Sequence, residues 1–289
     1  MTADTQFVRA DSKPERRKAL FRLLAFFAFS FVLMIASGVV QMILLGMKEV
    51  RHFSLATTAG TALAVLLAMV ATALIAKDKP AAFGFGRRRA ARNFLIGLVC
   101  GPAFLAAQLG ILAALGGFSF GTLSPPGDAL LHSAFVLAGT FLLVGFAEES
   151  LWRGYVLVQL ARTISFWPAA AILSAIFAAG HAANGGENLI GLSSAFLFGI
   201  VLAASFRLTG SLWFAVGTHA AWDYGQSFVF GVPDSGLRIE GALFHPSIHG
   251  PAWLTGGSAG PEGSVLTAFS LLAILAASWL LRVHAAASS

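Results

Sequence analysis

Charge is what this sequence has least of. Only 11% of its 289 residues are Asp, Glu, Lys or Arg, where a soluble domain carries about 25%, so a water-solvated globular domain is excluded. Cysteine is scarcer still. Cys100 stands alone in an apolar run, which excludes a disulfide framework and leaves a packed thiol. The HExxH pattern of many zinc peptidases is absent. So are internal repeats and low-complexity tails, which gives one membrane domain without the paired halves on which many transporters are built.

What is present is hydrocarbon. Hydrophobic residues make up 57% of the chain and the mean hydropathy is +0.80. Several runs reach the roughly 20 residues that a helix needs to cross the apolar core of a bilayer. The expectation is an all-α polytopic membrane protein, a bundle of about eight transmembrane helices near 20–46, 55–76, 94–116, 130–149, 168–183, 189–206, 212–230 and 265–282. The fourth is expected to run on as helix toward Leu160, and Pro168 suits the first turn of the fifth. Residues 1–18 form a basic N-terminal tail, 19–289 the single membrane domain, and the first span is too long for a signal-peptide core.

The charges that remain are sorted. With the N-terminus inside, sixteen of the nineteen Lys and Arg residues fall in cytoplasmic segments, and only Lys48, Arg51 and Arg238 fall outside. That is the positive-inside pattern, and it places both termini in the cytoplasm. The formal charge of +6 is therefore a topology signal rather than a nucleic-acid footprint, and Arg87-Arg88-Arg89 reads first as a topology anchor. The bilayer itself is the first partner; nucleic acid is not one. His245 and His249, in the Gly/Pro-rich segment 231–264, read as solvated. Trp213, Trp222, Trp253 and Trp279 read as interfacial or interhelical packing.

Of thirteen acidic residues, three lie in expected spans: Glu148, Glu149 and Asp223. A carboxylate at mid-bilayer costs about 2.5–3.5 kcal/mol even on the lenient insertion scale, so such groups face the bundle interior and have partners. Glu149 and Arg153, at i and i+4, share a helix face and can pair. Glu148 sits about 100° round the helix with no basic partner at helical spacing, which makes it the candidate general base. His181 follows Phe177 by four on the next span. His219 and Asp223 are again four apart, and a carboxylate beside an imidazole orients it. Strict alternation raises one difficulty: Glu148 falls at the inner end of its span and His181 at the outer end of the next. They meet only if the fourth span is shifted toward Leu160 or the helices tilt.

Taken together, these pieces resemble the CPBP family of intramembrane proteases, the CAAX-type and bacteriocin-processing enzymes related to Rce1. Its EExxxR motif is matched by Glu148, Glu149 and Arg153, its FxxxH by Phe177 and His181, and its HxxxN or HxxxD by His219 and Asp223. The resemblance covers about 130–230. It implies a membrane-embedded endopeptidase in which Glu148, assisted by His181, activates water, while His219 and Asp223 stabilise the oxyanion. Glu149, Arg153 and Phe177 have supporting roles. Asp223 stands where the family also allows Asn, and an ionised carboxylate cannot donate to an oxyanion. Glu148, His181, His219 and Asp223 are equally a candidate zinc set or a metal-free glutamate protease, and the residues leave the two open. The implied substrates are membrane-associated peptides or prenylated, lipid-associated proteins, cut in CAAX-type or leader-peptide processing. Two other readings of the same cluster are a non-catalytic scaffold or immunity protein and a proton-coupled transporter.

Overall fold

The computed structural model of the chain describes Phe7, Ala10, residues 12–44 and residues 55–287. Arg9, Lys48, Arg51 and the expected end of the first span at 45–46 lie outside the described residues.

Ten helices and one small sheet make up the described chain: α1 (Lys13–Leu44), α2 (Leu55–Ala76), α3 (Ala90–Ala114), β1 (Phe118–Leu123), α4 (Asp128–Glu149), α5 (Leu157–Ile164), α6 (Phe166–His181), α7 (Leu189–Thr209), α8 (Trp213–Tyr224), β2 (Phe244–Ile248), α9 (Ala252–Thr255) and α10 (Thr267–Ala287). Among the described residues, six stretches are long and apolar enough to cross a membrane: Lys13–Ile43, Thr57–Ala76, Ala90–Ala114, Asp128–Ile164, Leu189–Thr209 and Thr267–Ala285. The protein is thus an all-α polytopic membrane protein. The count of eight included two further apolar segments. One is the shorter helix Phe166–His181. The other is α8, which continues as a π-helical stretch to Phe230 and is buried from Phe214 to Asp223. That helix is apolar because it is the centre of the bundle, not because it faces lipid.

The outer surface has the opposite logic to a soluble protein. Phe21, Phe31, Leu74, Ile75, Phe135 and Leu189 all point outward, as side chains do when the solvent is hydrocarbon. Inside, an aromatic cluster of Phe26, Phe83, Tyr155, Phe206 and Phe214 ties α1, α7 and α8 to the segments Pro80–Phe83 and Ser150–Val156.

Two features position the later helices. Helix α4 passes through a π-helical stretch, Ser150–Val156, directly into α5, so that Asp128–Ile164 is one continuous rod of 37 residues. The chain then turns back at Ser165. Glu148 lies 17 residues before that turn and His181 16 after it, so both stand at the same depth in neighbouring antiparallel helices. This resolves the difficulty raised by strict alternation: the fourth span extends past Leu160, and Glu148 sits mid-span. Segment 231–264 is also built rather than loose. Strand β2 pairs antiparallel with β1, Phe118 opposite Ile248. Gly121, at φ 66°, passes so close to the His245 carbonyl that a Cβ would collide with it.

Candidate active site

Helix α8 is seated between α3 and α4 by glycines. A Cβ on Gly97 would come within 2.4 Å of the Phe214 carbonyl oxygen, and one on Gly101 within 2.6 Å of the Thr218 oxygen. Across the helix, a Cβ on Gly145 would stand 2.8 Å from the Ala220 nitrogen. Small residues four apart allow this backbone-to-backbone approach. Gly145 lies one turn before Glu149, so the same contact that docks α8 on α4 brings His219 against the paired glutamates.

Glu149 Oε1 accepts from Arg153 Nη1 at 2.7 Å and from His219 Nδ1 at 2.8 Å. Glu149 is 0% exposed and Arg153 3%. The arginine also lies over the Phe177 ring, 4.4 Å from its centroid. A carboxylate has no proton to give, so the Nδ1–H of His219 is the donor and its Nε2 turns the other way. There Nε2 stands 3.6 Å from Asp223 Oδ2 and 3.9 Å from Glu148 Oε2, beyond direct hydrogen bonding and at the spacing a bridging water spans. Glu149, not Asp223, is thus the nearer acceptor for His219. The i,i+4 spacing puts them on one face, but the closer acceptor comes from α4.

Glu148 is 36% exposed and opens onto a cavity with about 60 Å³ of room for water, several times the roughly 10–15 Å³ that one water needs. Glu148, His181, His219 and Asp223 all line it. His181 forms the wall without touching the others. Its Nδ1 donates to the Phe177 carbonyl at 2.8 Å, leaving the Nε2 lone pair free, and no hydrogen bond joins it to Glu148 among the described residues. Phe177 links the two imidazoles, 4.5 Å from the ring of His181 and 6.3 Å from that of His219.

Sequence reasoning missed half of the cavity's acids. Asp234 and Glu262, from the segment after α8, line the same space. Glu262 accepts from Trp222 Nε1 (2.8 Å), Gln226 Nε2 (3.1 Å) and the Ser235 hydroxyl (2.5 Å). Asp234 accepts from Gln226 (3.2 Å) and Ser227 (3.0 Å). These bonds clamp the segment over the site. Burial, then the neighbouring Glu262, raises the Asp234 carboxyl well above the usual carboxylate range. The one sequence signal was Gln226 and Ser227, polar residues at the end of an apolar run.

Glu148, His181, His219 and Asp223 have the chemistry of zinc ligands, but among the described residues no three His, Cys, Asp or Glu side chains are gathered closely enough to hold a metal ion. The arrangement does not fit a resident metal as it stands, and no step below is routed through one.

A comparison with curated proteins found no match. Residues 130–225, which carry α4 through α8 and every residue of the Glu149–Arg153–His219 network, match the family described as Type II CAAX prenyl endopeptidase Rce1-like. That match spans 96 of the 289 residues and supports a CPBP/CAAX-type protease domain within this chain.

Proposed function

We propose that this cavity hydrolyses peptide bonds of membrane-associated substrates, with Glu148 as general base. The observation that supports the reading is one cavity with room for water, walled by the acid of α4 and the imidazoles of α6 and α8. Glu148 removes a proton from water while the His181 Nε2 lone pair holds the second hydrogen, and the oxygen attacks the substrate carbonyl carbon. The carbonyl π electrons move onto oxygen. His219, fixed by Glu149, meets that oxyanion with Nε2–H when the ring carries both protons. Collapse breaks the C–N bond, and Glu148 returns its proton to the leaving amine. Asp223, 3.6 Å from Nε2, gives Nε2–H an acceptor through a bridging water when no substrate is present. Arg153 and Phe177 hold Glu149 and the rings in place.

The family and the basic end of the bundle support CAAX-type or leader-peptide processing, with both termini cytoplasmic. Purified protein incubated with a peptide library tests the chemistry. Wild type is expected to cut and Glu148→Gln to lose about 10²–10⁴-fold in rate with an unchanged melting temperature. Equal cutting by both refutes Glu148 as base. Loss of cutting with a chelator and its return with zinc would refute the metal-free sequence of steps.

A further inference from the structure

At the basic end of the bundle lies a second concavity, a groove of about 580 Å³. Six cations line it: Lys77, Lys79, Arg88, Arg89, Arg92 and Arg162. Its one acid, Asp78, is already engaged by Arg162 at 3.3 Å and Arg22 at 3.7 Å. Arg89 donates to the Ala285 carbonyl. The side chains of Lys77, Lys79, Arg88 and Arg92 have no hydrogen bond or ion pair among the described residues. Positive-inside sorting explains why cations are at this end, but not why four of them surround one concave space with no anion left to meet them.

One buried side chain marks the groove as built for a ligand. Asn93, on its wall, is 4% exposed; its Oδ1 is buried without a partner, and its Nδ2, the end that can donate to an anion, has no hydrogen bond among the described residues. An unpaired buried amide of this kind costs about 1–3 kcal/mol. Lys77, at φ 55°, ends α2 in a left-handed cap in which the Asp78 N–H reaches the Ala73 carbonyl, and this turn sets the cations beside the start of α3. Arg89 caps α3, a helix of 25 residues, so the positive end of its dipole adds to the same field.

We infer that this groove binds the phosphate of an anionic phospholipid headgroup. The lipid source follows from position. Residues at the ends of α2, α3, α5, α7 and α10 meet at the groove, the level of a membrane interface, and Leu281 and Ala285 of α10 form an apolar wall beside the cations. Phosphate alone uses only the polar half of that surface, whereas a headgroup with its acyl chain along α10 uses both.

Native mass spectrometry of the full-length protein with phosphatidylglycerol, phosphatidylcholine or inorganic phosphate tests this. Wild type is expected to hold phosphatidylglycerol at least about tenfold more tightly than phosphatidylcholine, given the attraction that each cation near an anionic headgroup supplies. Lys79→Gln/Arg88→Gln/Arg92→Gln is expected to remove that preference. Lys13→Gln/Arg17→Gln/Arg87→Gln, with the same charge loss outside the groove, is expected to keep it within about twofold. Asn93→Leu is expected to weaken phosphatidylglycerol several-fold while leaving the delipidated melting temperature unchanged or higher, since it removes an unpaired amide. Equal loss in both triple variants means diffuse surface charge and overturns the site. Displacement of phosphatidylglycerol by inorganic phosphate overturns the lipid assignment in favour of a soluble anion. Neither result depends on proteolysis.

Discussion

Arg153→Met removes one partner of an ion pair that water does not reach. Glu149, 0% exposed, would keep its charge with only His219 to answer it. Breaking a buried pair from one side costs about 3–5 kcal/mol, and the lost contact over Phe177, 4.4 Å away, adds up to about 2. At roughly 2–4 °C per kcal/mol for chains of 150–250 residues, the melting temperature in detergent falls by about 6–28 °C. Glu149→Leu/Arg153→Met then separates folding from function. It removes both charges together with two atoms that already lack partners, Glu149 Oε2 and Arg153 Nη2, and replacing a whole buried pair by apolar groups is often neutral or stabilising. The double variant is expected to recover most of the lost melting temperature. It is not expected to recover cleavage, because His219 Nδ1 has lost its acceptor. A single variant within about 1 kcal/mol of wild type would show that the pair is not buried as described. Cleavage by the double variant would show that Glu149 does not orient His219.

Gly101→Ala is expected to cost about 1–3 kcal/mol by forcing α3 off α8 and to lower cleavage. Gly110→Ala on the same helix, with nothing within 4 Å, is expected to be neutral or to gain up to about 1 kcal/mol; paired melting curves and assays check both. Burial, then Glu262, raises Asp234, with Glu148 and Glu187 also facing it, and burial raises Glu187. Folding the 231–264 segment therefore takes up protons. Its stability is greatest below the ordinary carboxylate range, near pH 4, and is lost as pH rises through the raised folded values. Amide exchange in 231–264, corrected for intrinsic rate, should show protection falling as pH rises above the ordinary carboxylate range, less steeply in Asp234→Asn; protection that rises with pH contradicts the assignment. In a Cys100→Ser background, Lys79→Cys should react with an impermeant maleimide only after lysis and His249→Cys in intact cells. The reverse pattern inverts the proposed topology.

Within a helix, period ties residues together, and what depended on period was legible in the sequence. The Glu149–Arg153 spacing of four predicts the contact seen at 2.7 Å, and the 100° offset of Glu148 predicts that it looks elsewhere, toward the cavity. The apolar runs located the long helices. Their number was less legible, because hydropathy cannot separate a helix bathed in lipid from one such as α8 that is enclosed by protein: both lack charge, for different reasons. The seat of α8 had a readable signal in Gly97 and Gly101, four apart in an apolar run, but their partners, Phe214 and Thr218, lie more than a hundred residues on.

Between elements no period exists, and there the local reading fails in a consistent direction. It gave His219 the nearest carboxylate in sequence, Asp223, whereas the fold gave it Glu149, 70 residues earlier. The reason is geometric. An i,i+4 pair on a helix is constrained by its own backbone, and here it closes only to 3.6 Å. A partner from another helix is set by how near two backbones approach, and Gly145 against Ala220 lets them touch. Asp234 and Glu262 follow the same rule: both are unremarkable loop acids until Gln226, Ser227 and Ser235 draw them over the cavity. In a bilayer this matters more than in water, since a polar group that misses its partner has no solvent to fall back on. Small residues that bring backbones together therefore decide which acids and imidazoles meet, and a change at Gly145 should disturb His219 as surely as a change at Glu149 itself.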